Sequence, residues 1–207
     1  MTRTSWQAGL MAAAVAVLTG GCATSKEAAK GDDTAAKGEP QAEVIRKKQA
    51  DNETVTEFDL NGDRKADVWS YAVTVKGEGG KDIERVSRKE LDINWDGKVD
   101  ISRTYDEREQ INREALDLDF DGKVDQVNFY EKGVIVRKEL DLSATGRPSE
   151  FKFYEKGKLV RKERDTNGDG KVDYWEYWEG DQVDRVGVDL DGDGNVDKWE
   201  KNPNSES

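Results

Sequence analysis

The sequence predicts an all-β domain of tandem hairpin repeats forming an antiparallel meander. Three observations carry this. Acidic loops open at Asp59, Asp92, Asp117, Asp141, Asp165 and Asp189, the last five spaced 25, 24, 24 and 24 residues apart, a sustained repeat period. Each loop runs into a segment of about seven residues with apolar or aromatic side chains at alternate positions, the strand period. Short turns such as "EKG" (Glu155–Gly157) then reverse the chain, and their glycine supplies positive φ. The period also suits a β-solenoid, but the hairpin-turn chemistry favours the meander, with roughly eleven strands.

Composition sets the limits. The chain has 207 residues, 38% of them charged and 34% apolar. That is too polar for a thick two-layer core and too aromatic for a disordered chain. The formal charge of -12 argues against nucleic acid or an anionic membrane surface as partner, and for cations or basic partners. There is no histidine, so imidazole bases and histidine metal sites are excluded.

In chain order, residues 1–21 read as a signal segment: Arg3, then the apolar run Ala8–Leu18, then small residues before Cys22, the single cysteine. This resembles a bacterial lipoprotein signal, which implies lipidation of Cys22, membrane attachment in the cell envelope and, with Ala23 next to it, an outer-membrane destination where the cell has one. The motif departs from the family at Thr19, where an aliphatic residue is usual. Removing residues 1–21 takes away one arginine, so the mature charge is 32 - 45 = -13. Residues 22–53 lack aromatics and read as a flexible tether, with a fraying helix over 41–50. The repetitive domain spans 54–201, and residues 202–207 read as a disordered tail.

Within the repeats, with the loop Asp counted as one, positions 11 and 13 are Trp69/Tyr71, Ser102/Thr104, Val127/Phe129, Phe151/Phe153 and Trp175/Tyr177. They are expected on the covered face. Positions 10 and 12, such as Gln126/Asn128 and Glu150/Lys152, are expected toward solvent. Arg88, Arg113, Arg137, Arg161 and Arg185 each stand four residues before a loop Asp. With Glu90, Glu139 and Glu163 two places further on, they read as a cross-strand charge ladder whose stems pack on the sheet.

Five loops share an oxygen pattern at positions 1, 3, 5 and 9: Asp59, Asn61, Asp63, Asp67; Asp92, Asn94, Asp96, Asp100; Asp117, Asp119, Asp121, Asp125; Asp165, Asn167, Asp169, Asp173; and Asp189, Asp191, Asp193, Asp197. Calcium takes six to eight oxygens at flexible geometry, which suits this spacing with a carbonyl at position 7. Position 12 varies, so the site closes at position 9. The loops resemble the strand-flanked calcium loops of integrin-type repeats and the loop half of dockerin repeats. That resemblance covers nine residues per unit and implies Ca2+ as ligand at these residues, not the fold. The fifth and sixth loops, with Glu176 and Glu200 at position 12, are expected to bind most tightly. The fourth, with Ser143, Thr145 and Ser149, is expected not to bind, and Arg64 in place of the bend glycine weakens the first.

The function expected is a non-catalytic, calcium-binding, membrane-anchored lipoprotein with a structural or surface-interaction role. The competing expectation is a calcium-dependent carbohydrate- or protein-binding module that presents Tyr174, Trp175, Tyr177 and Trp178. Every carboxylate-rich site recurs as a repeat element, whereas a catalytic pair would stand apart. The anchor is tested by fatty-acid labelling in cells: wild-type chain takes up label, Cys22→Ser loses it, and label on the variant would refute the assignment.

Overall fold

The computed structural model describes residues 42–50 and 52–203. The signal segment, Cys22 and most of the tether lie outside the described residues.

Thirteen strands form one antiparallel sheet in strictly sequential order: β1 (Glu43–Ala50), β2 (Glu53–Asp59), β3 (Val68–Lys76), β4 (Asp82–Leu91), β5 (Ile101–Tyr105), β6 (Ile111–Leu116), β7 (Gln126–Glu131), β8 (Val134–Leu140), β9 (Glu150–Glu155), β10 (Lys158–Arg164), β11 (Tyr174–Glu179), β12 (Gln182–Val188) and β13 (Lys198–Lys201). The meander is confirmed and the sheet is open. Its hairpin turns lie along one end of the strands and its six acidic loops along the other. The turns have the expected chemistry. Lys132–Gly133 and Lys156–Gly157 both take positive φ at each residue, the I′ conformation that matches strand twist. The stretch "VKGEGGKD" that breaks the repeat period lengthens one hairpin, β3–β4, and holds a single 3-10 turn at Glu78–Gly80.

Two boundaries differ from the sequence expectation. Residues 43–50 form strand β1, not a helix or tether, and pair with β2 from Glu43↔Asp59 to Ala50↔Glu53. Pairing to a neighbour overrides the weak helix propensity of a segment rich in Lys, Arg, Gln and Ala, and its charges suit an exposed edge strand. At the other end, Asn202 is tied to the sheet: its backbone N–H donates to the Asp184 carbonyl at 2.7 Å and its side-chain amide to the Val183 carbonyl at 2.7 Å. With β1 added, the strands number thirteen among the described residues, against the roughly eleven expected.

Substantial contacts among strands are all between sheet neighbours, so the domain is a single layer. It has almost no apolar core. Ala115 and Val127 are the buried hydrophobic residues among those described, against twelve buried polar or charged ones. The face assignment is accordingly corrected. Positions 10 and 12 include some of the most covered side chains, Glu150 at 3%, Asn128 at 4% and Glu176 at 7% exposure, while Phe151, Phe153, Trp175 and Tyr177 are only half-buried. Period two sorts residues into two sets but does not say which set is covered. In a single layer, cover comes from long neighbouring side chains. Glu150 accepts from Lys152 at 2.8 Å and Arg164 at 2.5 Å, and Glu176 pairs with Lys162 at 2.7 Å. Glu114 accepts from Arg103 at 2.7 Å, Asn128 at 3.1 Å and Tyr130 at 3.1 Å.

The opposite face carries the arginine ladder, as expected. Arg88 lies 3.7 Å over the Tyr71 ring, Arg161 4.1 Å over Phe153 and Arg185 4.6 Å over Tyr177. Arg88 bonds Glu90 at 2.7 Å, Arg137 bonds Glu139, and Arg161 forms an ion pair with Glu163 at 3.1 Å. A bulge precedes each ladder arginine in the hairpins: Ser87, Asn112, Val136, Val160 and Asp184 have no opposite residue. The extra residue shifts the face alternation. Each arginine therefore faces the aromatics while the aliphatic residue two places earlier faces the other side.

Burial pushes the Glu150 carboxyl up, but hydrogen bonds from Lys152 and Arg164 outweigh it and hold it below its ordinary value of 4.5. Glu114 is lowered in the same way by Arg103, Asn128 and Tyr130. A depressed folded value means the contribution is complete above pH 4.5 and lost as pH falls through the folded value. Melting temperature is therefore expected to drop steeply on acidification below that point, and less so in Glu150→Gln. Glu150→Ala, which strands two partly exposed cations, is expected to cost about 1–2 kcal/mol in denaturant unfolding.

Candidate metal centre

The loops are built by carboxylates accepting backbone N–H groups. The opening Asp takes two: Asp92 accepts from Trp95 and Gly97, each at 2.7 Å, and Asp117 from Phe120 at 2.8 Å and Gly122 at 2.7 Å. Asp59, Asp165 and Asp189 do the same at positions 4 and 6. These bonds hold both donors in the left-handed region, where glycine is favoured. Gly97, Gly122, Gly170 and Gly194 lie at φ 88 to 91°, and Arg64 is forced to 71° in the first loop. N–H donation lowers the Asp189 carboxyl, with Gly194 the largest contributor.

The remaining side chains repeat the theme. Asn61, Asn94, Asp119, Asn167 and Asp191 at position 3 accept from the N–H of position 5. Asp63, Asp96, Asp121, Asp169 and Asp193 at position 5 accept from position 7. Oxygens that accept an N–H retain a lone pair that a cation can share.

Adjacent loops are stitched together. The carbonyl of each position-9 residue accepts from the opening N–H of the next loop: Asp67 from Asp92, Asp100 from Asp117, Asp125 from Asp141, Ser149 from Asp165 and Asp173 from Asp189, all at 2.8–3.0 Å. Lysines at position 7 add a second link that sequence reasoning missed. Lys98 reaches the Asp121 carbonyl at 3.4 Å, Lys123 that of Ala144 at 3.3 Å and Lys171 that of Gly192 at 2.7 Å.

Three loops gather carboxylates into a candidate cation site: Asp92, Asp96 and Asp100; Asp117, Asp119 and Asp125; and Asp189, Asp191 and Asp197, each trio with one oxygen per residue within 4.8 Å of the others. At that separation and an effective dielectric near 20, each like-charge pair costs about 3 kcal/mol before screening. The first and fifth loops gather no such trio among the described residues, although the fifth fits the sequence pattern in full. Two of the trios use an Asp at position 3, Asp119 and Asp191, where the first and fifth loops carry Asn61 and Asn167. The hydrogen bonds of the closing Asp also differ. In the three trios its Oδ2 accepts from positions 2 and 3, as Asp100 does from Ile93 at 2.6 Å and Asn94 at 3.2 Å. Its Oδ1 is left over. In the fifth loop Asp173 Oδ1 accepts from the Thr166 N–H at 3.0 Å and Oδ2 from the Thr166 hydroxyl at 2.9 Å, so both oxygens are taken. In the first, the Asn61 amide approaches Asp67 Oδ1 at 3.5 Å. The missed signal is legible in retrospect: position 2 is aliphatic in Leu60, Ile93, Leu118, Leu142 and Leu190, and Thr166 alone carries a hydroxyl.

Position 12 adds no ligand. Glu176 is engaged by Lys162 and by the Trp178 indole N–H at 3.1 Å, and Glu200 pairs with Lys198 at 2.6 Å. The fourth loop keeps the backbone design with other chemistry. Asp141 accepts from Gly146 at 2.5 Å, and the Ser149 hydroxyl takes the closing role by accepting from Leu142 at 3.3 Å.

Fold and site together define an open, single-layer β-sheet protein with carboxylate-rich loops suited to cations. No family model matches the chain, and no curated protein sequence matches it. Among solved structures it is similar to a chain of the accessory secretory protein 1, 2 and 3 structure of Streptococcus pneumoniae, at 14% identity and a TM-score of 0.30, over 57% of this chain and 19% of that one. The chain thus spans about a fifth of that chain's length, and the likeness is too slight to support any inference.

Thr166→Leu removes the hydroxyl donor from Asp173 Oδ2 and is expected to let the carboxylate turn as in the other loops, with Oδ2 on the N–H groups of positions 2 and 3 and Oδ1 facing the loop, adding a cation site at the fifth loop. Calorimetric titration should then show one more bound calcium than wild type; an unchanged stoichiometry would refute Thr166 as the determinant.

Proposed function

We propose that this chain is a calcium-binding lipoprotein of the cell envelope, anchored through Cys22, whose repetitive sheet has a structural or surface-interaction role without catalysis. The observation that carries the cation reading is Asp100. It is 2% exposed, and its Oδ1 is buried with no hydrogen-bond partner, beside Asp92, itself 2% exposed, and Asp96. An unpaired carboxylate oxygen buried among like charges costs far more than a surface one. A divalent cation removes both the desolvation and the repulsion. Oxygen-only donors and an irregular loop favour calcium, while magnesium keeps its waters in a tight octahedron. The trios at Asp117 and Asp189 are more exposed and use the carboxylate of position 3 in place of that of position 5.

The anchor rests on the sequence motif. The binding-module reading draws on exposed aromatics, yet Tyr174, Trp175, Tyr177 and Trp178 are half-buried in the sheet. Among the described residues, Trp95, Phe120 and Trp199 are the exposed aromatics.

Cation binding to the native state stabilises by RT ln(1 + [L]/Kd), so millimolar calcium at sites of about 10⁻⁴ to 10⁻³ M contributes roughly 1 kcal/mol per site. Melting temperature is expected to rise in calcium, less in magnesium, and to fall back with chelator. Asp100→Asn is expected to remove the largest single share of that rise, and Asp141→Asn none. Identical melting curves in calcium and chelator would return the loops to metal-free acidic turns.

A further inference from the structure

The loop edge also carries most of the large apolar side chains that the sheet leaves exposed. Of the twelve such residues among those described, eight fall in the acidic loops: Ile93, Trp95, Val99, Leu118, Phe120, Val124, Leu142 and Leu190. Six of these eight belong to the second and third loops, which are neighbours and each hold a carboxylate trio. Two strands separate them, about 10 Å along the edge.

Trp95 and Phe120 are the telling pair. Both occupy position 4 at φ 67° and 65°, a backbone region that large side chains rarely adopt. The first, fifth and sixth loops use glycine there, and a Cβ at Gly62, Gly168 or Gly192 would meet nothing within 4 Å. The position is thus open space that glycine fits without strain. Bulky aromatics stand there only in two adjacent trio loops, 47% and 41% exposed. Packing does not account for them, and strain kept at an exposed site points to a binding role.

We propose that the edge formed by Ile93, Trp95, Leu118 and Phe120 docks on an anionic phospholipid surface, with divalent cations in the two trios bridging to headgroup phosphates. The proposal rests on the cation-binding reading above. Without cations the edge is acidic and repels anionic lipid. A trio supplies three of the six to eight oxygens calcium takes, leaving positions that phosphate oxygens fill. Charge complementarity is thereby created by the ion, and the apolar side chains enter the acyl boundary beside it. The acylation motif at Cys22 makes a phospholipid surface the partner already implied by this chain's own sequence.

The test uses the full chain with vesicles of phosphatidylcholine, with or without phosphatidylglycerol, whose lipids carry bromine on the acyl chains as a tryptophan quencher. Quenching that appears with calcium and requires phosphatidylglycerol is the expected result, together with calcium-dependent co-sedimentation with the vesicles that disappears in Trp95→Gly/Phe120→Gly, a readout that does not need the Trp95 indole. The same double variant is expected to melt at a higher temperature than wild type in the absence of lipid, because glycine relieves the left-handed strain; lost binding with gained stability separates a docking role from misfolding. Glycerol phosphate in place of vesicles is expected to leave the fluorescence unchanged, and a full response to it would overturn the membrane assignment in favour of a free phosphate ligand. Calcium-dependent self-association without vesicles, abolished by the double variant, would overturn it in favour of a second copy of the chain. Calcium binding seen by calorimetry with no lipid-dependent quenching would defeat the docking proposal and leave the cation reading standing. Absence of calcium binding in solution would defeat both.

Discussion

Everything in this molecule hangs on one bond pattern: the opening aspartate of each loop accepting the N–H of the sixth loop residue, and in five of the six loops that of the fourth as well. Each loop holds two left-handed residues, at positions 4 and 6, and so turns the chain from one hairpin into the next at constant length. The closing residue then accepts from positions 2 and 3 with its side chain and passes its carbonyl to the next loop. The result is a continuous ladder along one edge. The fourth loop demonstrates that this is a folding device first. With serine, threonine and one aspartate it keeps the period and the ladder.

That device matters because the sheet has little else. A single layer cannot bury an apolar core, and two buried hydrophobic residues do not make one. Cross-strand pairs take over on both faces: arginine over aromatic rings with glutamate beside it on one, and covered glutamates gripped by lysine and arginine on the other. Such pairs are individually modest, so stability is spread along the array and nearest neighbours dominate, as in repeat proteins. The loop edge is where the design concentrates cost. Like charges lie within 4.8 Å of one another, Asp100 keeps a buried oxygen without a partner, and two exposed aromatics stand in strained backbone. Costs of this kind cluster where a protein binds something.

The repeat, the strand class, the hairpin turns and the arginine ladder were all legible in the chain, because each depends on local spacing: a period of two, a period of 24, a glycine where φ is positive. The oxygen pattern of the loops was legible for the same reason. Tertiary structure decided the rest. Strand β1 exists because β2 offers it a partner, which its own composition does not announce. The covered face could not be read from alternation, since long neighbours on adjacent strands do the covering, and a bulge before each arginine shifts the alternation within the hairpin. Among five loops that share the oxygen spacing, three gather a carboxylate trio and two gather none among the described residues. In the fifth the Thr166 hydroxyl reaches seven residues along the chain to Asp173, a bond that the aliphatic residue at this position of the other loops does not make. Spacing fixes which oxygens can meet; only the folded loop decides which of them is still free.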